Sequence, residues 1–272
     1  MPQKNYRVSV LVRTRDIEGH FTELLWRMSR QTLQPSELVV VDNFSSKDKL
    51  EDMSILLSMA KKKFFGNRIH VKLVPLTDSE FSHAYSTNVG VFVANGDLVC
   101  ITNGHSLPLS NMWLETGAVH FRNPEVVGVG GYFVPHKDGS IWEKLAYDLG
   151  WKRLNELSRA YVEDDFFSTI NCILRKSSWV EYPFDEKIPS RIFEAGKFGG
   201  EDYDWAKEML FRGCSIIVDS RFIVYHSHKE RLPQLVLKYV VWRRIRKRIR
   251  MLRRPRKPYT RLESVKPLYH NI

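Results

Sequence analysis

The feature that most constrains the fold is a strand–helix–strand pattern in residues 8–46. Residues 8–12 (VSVLV) are a short apolar run rich in β-branched residues, which is typical of a buried strand. Apolar residues between positions 21 and 28 then recur at helical spacing, and a second buried strand over residues 38–41 ends in the polar segment 42–46. Open α/β sheets bind ligands at the carboxyl ends of their strands. We therefore predict a ligand pocket where these two strands end.

The loop after the first strand excludes several kinds of nucleotide site. No GxGxxG follows Val12, which argues against a dinucleotide fold, and no GxxxxGK[ST] is present, which argues against a P-loop. A nucleotidyltransferase would need a loop with Gly and Lys at this point, and residues 13–16 (RTRD) contain neither. The pocket is expected to hold its ligand with strand-end side chains.

The positive charge of the chain is confined to its C-terminal part. The net charge is +11, from 42 basic and 31 acidic residues. Residues 238–257 contain 11 Lys or Arg and no acid, so the rest of the chain has 31 basic residues against 31 acidic ones. A basic nucleic-acid groove on the body of the protein is therefore not indicated. At 272 residues and 43% hydrophobic, the chain suits one folded domain with an appendage.

The sequence also bears on the compartment. Residues 1–7 are polar and the next apolar run is only five residues long, so we expect no signal peptide. No run of about 18 apolar residues is present to span a bilayer. The three cysteines, Cys100, Cys172 and Cys214, are far apart and lie in apolar or mixed runs. We expect buried thiols in a reducing compartment, and a cytoplasmic protein.

Two stretches carry a resemblance to a known family. VSVLVRT…QTLQPSELVVVDNFSS near the N-terminus, and GGEDYDWAKEMLFRGCSIIVDSRFIVYHSH over residues 199–228, resemble the family 2 type glycosyltransferases. The resemblance spans roughly residues 6–230 and implies an α/β GT-A (Rossmann-like) single domain with a mixed, mostly parallel central sheet. It also implies an inverting, hexosyl-type glycosyltransferase that moves a sugar from a nucleotide-diphosphate sugar to an acceptor hydroxyl.

The catalytic candidates are Asp202 and Glu201. Two glycines followed by two acids at a predicted helix start would place a carboxylate among free backbone N–H groups, although a plain acidic helix cap has the same pattern. The resemblance implies that Asp202 is the general base for the acceptor hydroxyl and that Glu201 positions the acceptor or tunes the pKa. A base of this kind contributes ~10²–10⁴-fold in rate.

The metal-binding segment departs from the family pattern. The family places D-x-D after the central strand, and this chain has Asn103-Gly104-His105 there. The resemblance also places a metal-binding histidine near His226, so His105 and His226 are the metal candidates. Such ligands favour Mn²⁺ over Mg²⁺, and metal independence stays open. Without a metal, a cation such as Arg15, Arg175 or Lys229 would have to neutralise the leaving diphosphate.

The donor pocket is predicted around Asp42, since a carboxylate at a strand end can accept from a pyrimidine ring N–H. UDP- or dTDP-sugars are therefore favoured as donors. Strand-end neighbours and positions that resemble donor-pocket residues in relatives complete the prediction. These are Thr14, Arg15, Asn43, Asn88, Asp97 and Asn103. Asn171 is a weaker candidate for the acceptor side.

The C-terminal segment reads as a basic amphipathic helix. Its apolar residues recur at intervals of three and four over residues 235–252, and Arg and Lys fill the other positions. Such a helix is typical of binding to an anionic membrane surface, here through residues 235–257. We predict a catalytic domain over 1–230, a membrane-associating tail over 231–272, and peripheral binding to the inner membrane face. The acceptor would then be a lipid-linked or growing polysaccharide.

Other interpretations remain open at this point. The helix could instead pack its apolar stripe on the domain and solvate its charges, while nucleic-acid binding is disfavoured because Trp242 is the segment's only tryptophan for stacking. The missing D-x-D would also fit a degenerate relative that binds a nucleotide sugar without turnover. A membrane-bound adaptor that acts only through the tail is the third possibility.

Overall fold

A nine-stranded sheet organises the chain in the computed structural model, which describes residues 6–152, 160–162 and 167–253. The strands run in the order β3-β2-β1-β4-β8-β6-β9-β5, with β7 paired to β9. Their bounds are β1 (Val8–Thr14), β2 (Glu37–Asn43), β3 (His70–Leu76), β4 (Leu98–Asn103), β5 (Leu107–Pro108), β6 (Val126–Val134), β7 (Ala160–Val162), β8 (Asn171–Arg175) and β9 (Ser215–Tyr225).

The helices lie between these strands and after the last one. They are α1 (Phe21–Ser29), α2 (Lys47–Lys63), α3 (His83–Val93), α4 (Trp113–Ala118), α5 (Ile141–Ala146), α6 (Lys176–Glu181), α7 (Ile188–Arg191), α8 (Ala195–Phe198), α9 (Glu201–Phe211) and α10 (Leu232–Leu252). A π-helical turn, Tyr147–Trp151, extends α5. The stretch 139–165 contains α5 and β7, and its parts at 153–159 and 163–165 lie outside the described residues.

The predicted strand–helix–strand unit is confirmed as β1, α1 and β2. The strands β3, β2, β1 and β4 are parallel, and β8 lies antiparallel between β4 and β6. The predicted mixed α/β sheet is therefore also confirmed. The last strand, β9, is continuous, because its pairing with β6 resumes beyond a register shift between Gly131 and Tyr132.

The core lies on both faces of the sheet, since successive side chains of a strand point to opposite sides. On β1, Val10 and Val12 pack with α1 and α2, while Leu11 packs on the other side with α3. The approach of α3 is close: a Cβ on Gly90 would lie 2.3 Å from Cδ1 of Leu11. This packing fixes the strand ends, where the polar residues lie.

The C-terminal helix α10 packs on the body of the protein through part of its predicted apolar stripe. Ile245 and Ile249 are buried in a cluster with α7, α8 and Tyr203. A Cβ on Gly200 would lie 2.9 Å from Cγ2 of Ile245, so the helix contacts the residue that precedes α9. The expectation that this stripe faces a membrane is therefore wrong for its central part, because those side chains are buried in protein.

Candidate active site

Strand ends bring the predicted donor-pocket residues together. In the parallel register, Thr14 of β1 lies beside Asp42 of β2, and Arg13 lies beside Asn103 of β4. The loops after β1 and β2 are also linked, because Ser45 Oγ accepts from the backbone N–H of Asp16 at 2.8 Å. Three strand ends therefore form one polar edge.

On this edge Asp42 organises the loop and Asn43 has spare capacity to bind. Both carboxylate oxygens of Asp42 accept from Ser45, at 2.9 Å from its N–H and 2.6 Å from its Oγ. In contrast, Oδ1 of Asn43 is shielded from solvent and has no hydrogen-bond partner within the described residues. Arg15 is exposed, and its guanidinium lies 4.1 Å from the ring centre of Phe44. The unpaired oxygen of Asn43 suits a hydrogen-bond donor of a ligand, and the guanidinium of Arg15 suits an anionic group of the same ligand.

Arg13 is the central cation of the site, and the sequence analysis did not single it out. Its side chain is buried and donates to Thr87 Oγ1 at 2.9 Å, to Thr169 Oγ1 at 3.0 Å and to Asn103 Oδ1 at 3.2 Å. Burial lowers the pKa of Arg13, and the charges of Glu201 and Asp202 oppose that shift. A charged residue inside the apolar strand pattern was the available signal.

The acid pair opens α9, as predicted. Gly199 and Gly200 have φ values of +75° and +131°, which glycine adopts without strain and other residues rarely do. Glu201 is buried, whereas Asp202 is partly exposed and its Oδ2 accepts from the backbone N–H of Thr169 at 3.3 Å. The double glycine thus turns the chain so that Asp202 retains access to solvent.

The two acids differ in their surroundings, since Glu201 is buried and Asp202 is partly exposed. Burial and, to a lesser degree, the charge of Asp202 raise the pKa of Glu201 to about 7, and the charge of Arg13 opposes both effects. A buried carboxyl with a raised pKa beside a solvent-accessible carboxyl suits a general base with a hydrogen-bonding neighbour.

Three histidines converge at the other side of the same edge. The rings of His105 and His226 stack with centroids 4.5 Å apart, and Nε2 of His226 lies 3.1 Å from Nε2 of His228. One ring nitrogen from each of the three lies within 4.8 Å of the others. The sequence analysis named His105 and His226 as the metal candidates, and the structure adds His228, two residues after His226, as a third ligand.

The surroundings of this cluster fit a divalent metal ion. Nδ1 of His105 lies 2.6 Å from Glu18 Oε1, and Nδ1 of His226 lies 2.9 Å from Ser106 Oγ. Carboxylate and hydroxyl partners of this kind orient metal-binding imidazoles. Nε2 of His105 is shielded and has no hydrogen-bond partner among the described residues. That nitrogen is free to accept a metal ion.

The pKa values of His226 and His228 favour neutral imidazoles. Burial holds the pKa of His226 well below its usual value, and the neighbouring histidines lower it further. The pKa of His228 is lowered to about 4, first by desolvation of its ring and then by Lys238, although the residue as a whole is exposed. Neutral imidazole is the form that binds metal.

Gly104 explains how the segment Asn103-Gly104-His105 fits. A Cβ at this position would lie 2.2 Å from Glu18 Oε2 and 2.4 Å from Thr14 Oγ1. Glu18 accepts from Thr14 Oγ1 at 3.0 Å with the same oxygen, and its other oxygen faces His105. The missing side chain therefore allows Glu18 to connect the donor-pocket edge with the histidine cluster.

Asn88 does not reach this edge. Its Nδ2 donates to Phe184 O at 2.9 Å and to Glu186 Oε1 at 2.7 Å, and its Oδ1 accepts from Trp179 Nε1 and Phe184 N. All of its hydrogen-bonding capacity is used to fasten α3 to the segment after α6. Its expected place in the donor pocket is not supported, since no atom remains for a ligand.

Asp97 and Arg175 lie at the opposite edge of the sheet. Asp97 precedes β4 and accepts from the backbone N–H of Arg7, while Arg175 pairs with Leu98 in the antiparallel register of β4 and β8. Both expectations for these residues fail because the start of a parallel strand and its carboxyl end lie on different edges. Lys229 forms an ion pair with Asp138 at 2.9 Å.

Asn171, expected on the acceptor side, is also structural. Its Nδ2 donates to the carbonyl oxygens of Tyr132 and Phe222, and its Oδ1 accepts from Trp113 Nε1. These bonds hold the irregularity between β6 and β9, so the side chain is used inside the fold.

The chain belongs to glycosyl transferase family 2, whose model matches residues 9–180. That range covers the donor-pocket strands and the histidine at position 105, and it ends before Glu201 and Asp202. The family membership predicted from the residues is confirmed, and the chain is a glycosyltransferase.

The chain is also similar to individual glycosyltransferases in sequence and in structure. The chain is 19% identical over 229 residues to the O-antigen chain rhamnosyltransferase RfbN of Salmonella typhimurium, covering 82% of this chain and 67% of that protein. It is similar in structure to the mannosyltransferase PcManGT of Pyrobaculum calidifontis in complex with GDP-Man and Mn²⁺, with a TM-score of 0.65 and 17% identity, over 94% of this chain and 67% of the other. TarS of S. aureus in complex with UDP-GlcNAc matches with a TM-score of 0.56 and 18% identity, over 88% and 65%.

The chain spans about two thirds of the length of these relatives. Over the described residues, no helix combines the length and the apolar character needed to cross a bilayer.

Proposed function

We propose that this chain transfers a sugar from a nucleotide-diphosphate sugar to an acceptor hydroxyl with inversion at the anomeric carbon. The observation that carries the proposal is the opening of α9, where a partly exposed Asp202 lies beside a buried Glu201 with a raised pKa. Asp202 removes the proton from the acceptor hydroxyl as that oxygen attacks. Glu201, whose pKa of about 7 leaves it about half protonated at pH 7, hydrogen-bonds the acceptor or Asp202 in its neutral form without adding a second charge.

Arg13 stabilises the acid pair Glu201 and Asp202 electrostatically. Two adjacent carboxylates repel each other, and the buried guanidinium of Arg13 offsets part of that repulsion. Its hydrogen bonds to Asn103 and Thr169 hold the guanidinium of Arg13 at a fixed position. It acts as a positioning residue through the acids.

The donor diphosphate is placed between the strand ends and the histidine cluster. His105, His226 and His228 are the residues that would hold a divalent ion, and their imidazole nitrogens favour Mn²⁺ over Mg²⁺. Such an ion supplies positive charge to the leaving diphosphate. Arg15 lies at the same edge and provides a further cation.

The nucleoside is assigned to the pocket of Thr14, Asp42 and Asn43. The free Oδ1 of Asn43 is the acceptor available to a base or ribose donor. Because Asp42 is occupied by Ser45, a pyrimidine N–H would have to share its oxygens. A UDP- or dTDP-sugar therefore remains our proposal, and the solved relatives include complexes with GDP-Man and with UDP-GlcNAc.

The acceptor is proposed to be a lipid-linked or growing polysaccharide at the inner face of a membrane. The relative RfbN is described as an O-antigen chain rhamnosyltransferase, which supports a polysaccharide acceptor. The competing candidate is a degenerate relative that binds the donor without turnover, and the replacement of D-x-D by Asn103-Gly104-His105 is the observation in its favour.

Release of nucleoside diphosphate from a panel of nucleotide sugars tests the proposal directly. We expect release from one donor class in the presence of Mn²⁺, and a loss of ~10²–10⁴-fold in Asp202→Asn, as for removal of a general base. Asp52→Asn, on the exposed surface of α2, is the matched control and should keep full turnover. An NMR assignment of the product anomer then decides inversion against retention. Full turnover in Asp202→Asn would reject the assigned base.

A further inference from the structure

The first half of α10 exposes an apolar surface that no described residue covers. We call it the outer apolar surface, and its members are between 45% and 56% exposed. They are Leu232, Val236, Leu237, Tyr239 and Val240. This surface is not the stripe that packs on the domain, because Val241, Ile245 and Ile249 are buried on the other side of the helix. Side chains of this kind on a soluble surface mark an interaction site.

The second half of the same helix face is cationic. Positions 236, 240, 243, 247 and 250 follow each other at intervals of four and three, which places them on one side of a helix. Arg243, Lys247 and Arg250 therefore continue the outer apolar surface along the helix axis. Within the described part of the chain, none of the three forms an ion pair with a carboxylate.

The cations on the flank that faces the protein are, in contrast, paired. Arg248 and Arg244 form ion pairs with Glu194, the former at 2.8 Å, and Arg253 donates to Asp204 at 2.7 Å. The helix thus separates its positive charges into a set that fastens it to the domain and a set that is left outward. The outward set is exposed and can meet an anionic partner from outside the chain.

The combination on one face selects the partner. A nucleic acid would engage the cations and leave the apolar half in water, and an apolar protein partner would leave the three cations unpaired. An anionic bilayer takes both, because apolar side chains enter the acyl boundary while Lys and Arg reach phosphate headgroups. Charge complementarity and exposed apolar area therefore point to the same occupant.

A neighbouring helix adds exposed apolar residues beside the first half of α10. α5 packs against α10 and is fastened to the segment before it, since Ser140 Oγ donates to Glu230 O at 2.6 Å. Glu143 Oε1 accepts from the backbone N–H of His228 at 2.9 Å. On α5 and its π-helical extension, Ile141 is 73% exposed and Leu149 is 80% exposed. α5 therefore connects the start of α10 with the segment that carries His228.

We propose that the outer apolar surface and the cation row Arg243, Lys247 and Arg250 bind an anionic lipid bilayer. Bound in this way, the chain would hold its histidine cluster next to the headgroups. If the proposed transfer reaction is right, this position would favour an acceptor anchored in the same bilayer. The lipid binding itself does not depend on that reaction.

Co-sedimentation of the full chain with vesicles tests the proposal without any substrate. Vesicles of equal parts phosphatidylcholine and phosphatidylglycerol are compared with pure phosphatidylcholine. We expect binding to the anionic vesicles, weakened by salt, and little binding to the neutral ones. Equal binding to both kinds, or no binding to either, would overturn the proposal.

Two variants separate the charge from the apolar contribution. Arg243→Gln, Lys247→Gln and Arg250→Gln together should weaken vesicle binding by about 100-fold, at ~1 kcal/mol for each cation. The matched control removes three exposed charges from α2, as Lys47→Gln, Lys62→Gln and Lys63→Gln. It should bind as the unaltered chain does, and equal losses in both triple variants would refute a specific surface.

The apolar pair is tested in the same way. Val236→Ser with Val240→Ser should weaken binding by about 10-fold or more, because two apolar side chains no longer enter the bilayer. Ile55→Ser with Met59→Ser on α2 matches it in spacing and exposure and should have no effect. If the Val236/Val240 variant instead converts a dimer into a monomer in gel filtration while vesicle binding is absent, the surface joins two copies of the chain.

Discussion

Truncating Ile245 to alanine tests whether α10 is part of the catalytic domain. Ile245 is 1% exposed, and it packs against Ile188, Ile192 and Tyr203, with its Cγ2 in the space where a side chain on Gly200 would lie. Removing such a side chain from a buried site costs about 2–5 kcal/mol, with the upper end for sites that do not collapse. Since α10 here bridges three elements, we expect about 3 kcal/mol.

The assay is thermal unfolding of the full chain, with a second variant from the same helix. For a domain of this size, 1 kcal/mol corresponds to roughly 2–4 °C, so Ile245→Ala should lower the Tm by about 6–12 °C. Val236→Ala, at a position 53% exposed, should change it by less than about 2 °C. If both variants have the same Tm as the unaltered chain, α10 is a separate appendage and its packing on Gly200 does not exist in solution.

Three further predictions follow from the site. Burial raises the pKa of Glu201 to about 7 from 4.5, so its stabilising contribution is complete below pH 4.5 and is lost as the pH rises through 7. Glu201→Gln should therefore raise the Tm at pH 8 and change it much less at pH 5, and an equal change at both would contradict the assignment. Asn88→Ala should cost about 1–3 kcal/mol in the free energy of unfolding, because it leaves buried partners unpaired, without altering nucleotide affinity in a titration. Asn43→Ala should do the reverse, with roughly 3–10-fold weaker nucleotide binding and a nearly unchanged Tm.

The sequence was sufficient for the parts of the fold that rest on local patterns. The apolar run at residues 8–12 and the helical spacing after it became β1 and α1, and α9 begins at Glu201 as the double glycine predicted. These elements are determined by neighbours in sequence, so periodicity and turn residues identify them.

The failures come from which edge of the sheet a residue occupies. Asp97 and Asn103 are six residues apart and lie at opposite ends of β4, so only Asn103 reaches the site. Asn88 faces inward and bonds to partners at positions 179–186. These partners are distant in sequence, so the contacts could not be anticipated. A resemblance aligns such residues with a motif, but tertiary contacts decide whether their polar atoms are free.

The same reasoning applies to the residues that the sequence analysis missed. Glu18 is surrounded by ordinary polar sequence and only the fold brings it to His105, whereas the spacing of His226 and His228 already places these two close together. For α10, hydrophobic spacing alone could not distinguish a stripe buried against the domain from one facing a bilayer. The structure has apolar residues buried against the domain on one side of the helix and exposed apolar residues on the other side.

We propose that the strand-end pocket and the three histidines together bind a nucleotide and a metal ion. The most direct measurement is the thermal shift of the chain with UDP, dTDP, GDP or CDP, each in Mn²⁺, Mg²⁺ or EDTA. A ligand at about 100 times its Kd stabilises the native state by ~2.7 kcal/mol. We predict this shift for one nucleotide class with Mn²⁺, its loss in His105→Ala and His226→Ala, and its retention in His70→Ala, whose side chain is exposed on β3. An equal shift in EDTA or in His105→Ala would contradict the metal site, and no shift with any nucleotide would contradict the proposed donor.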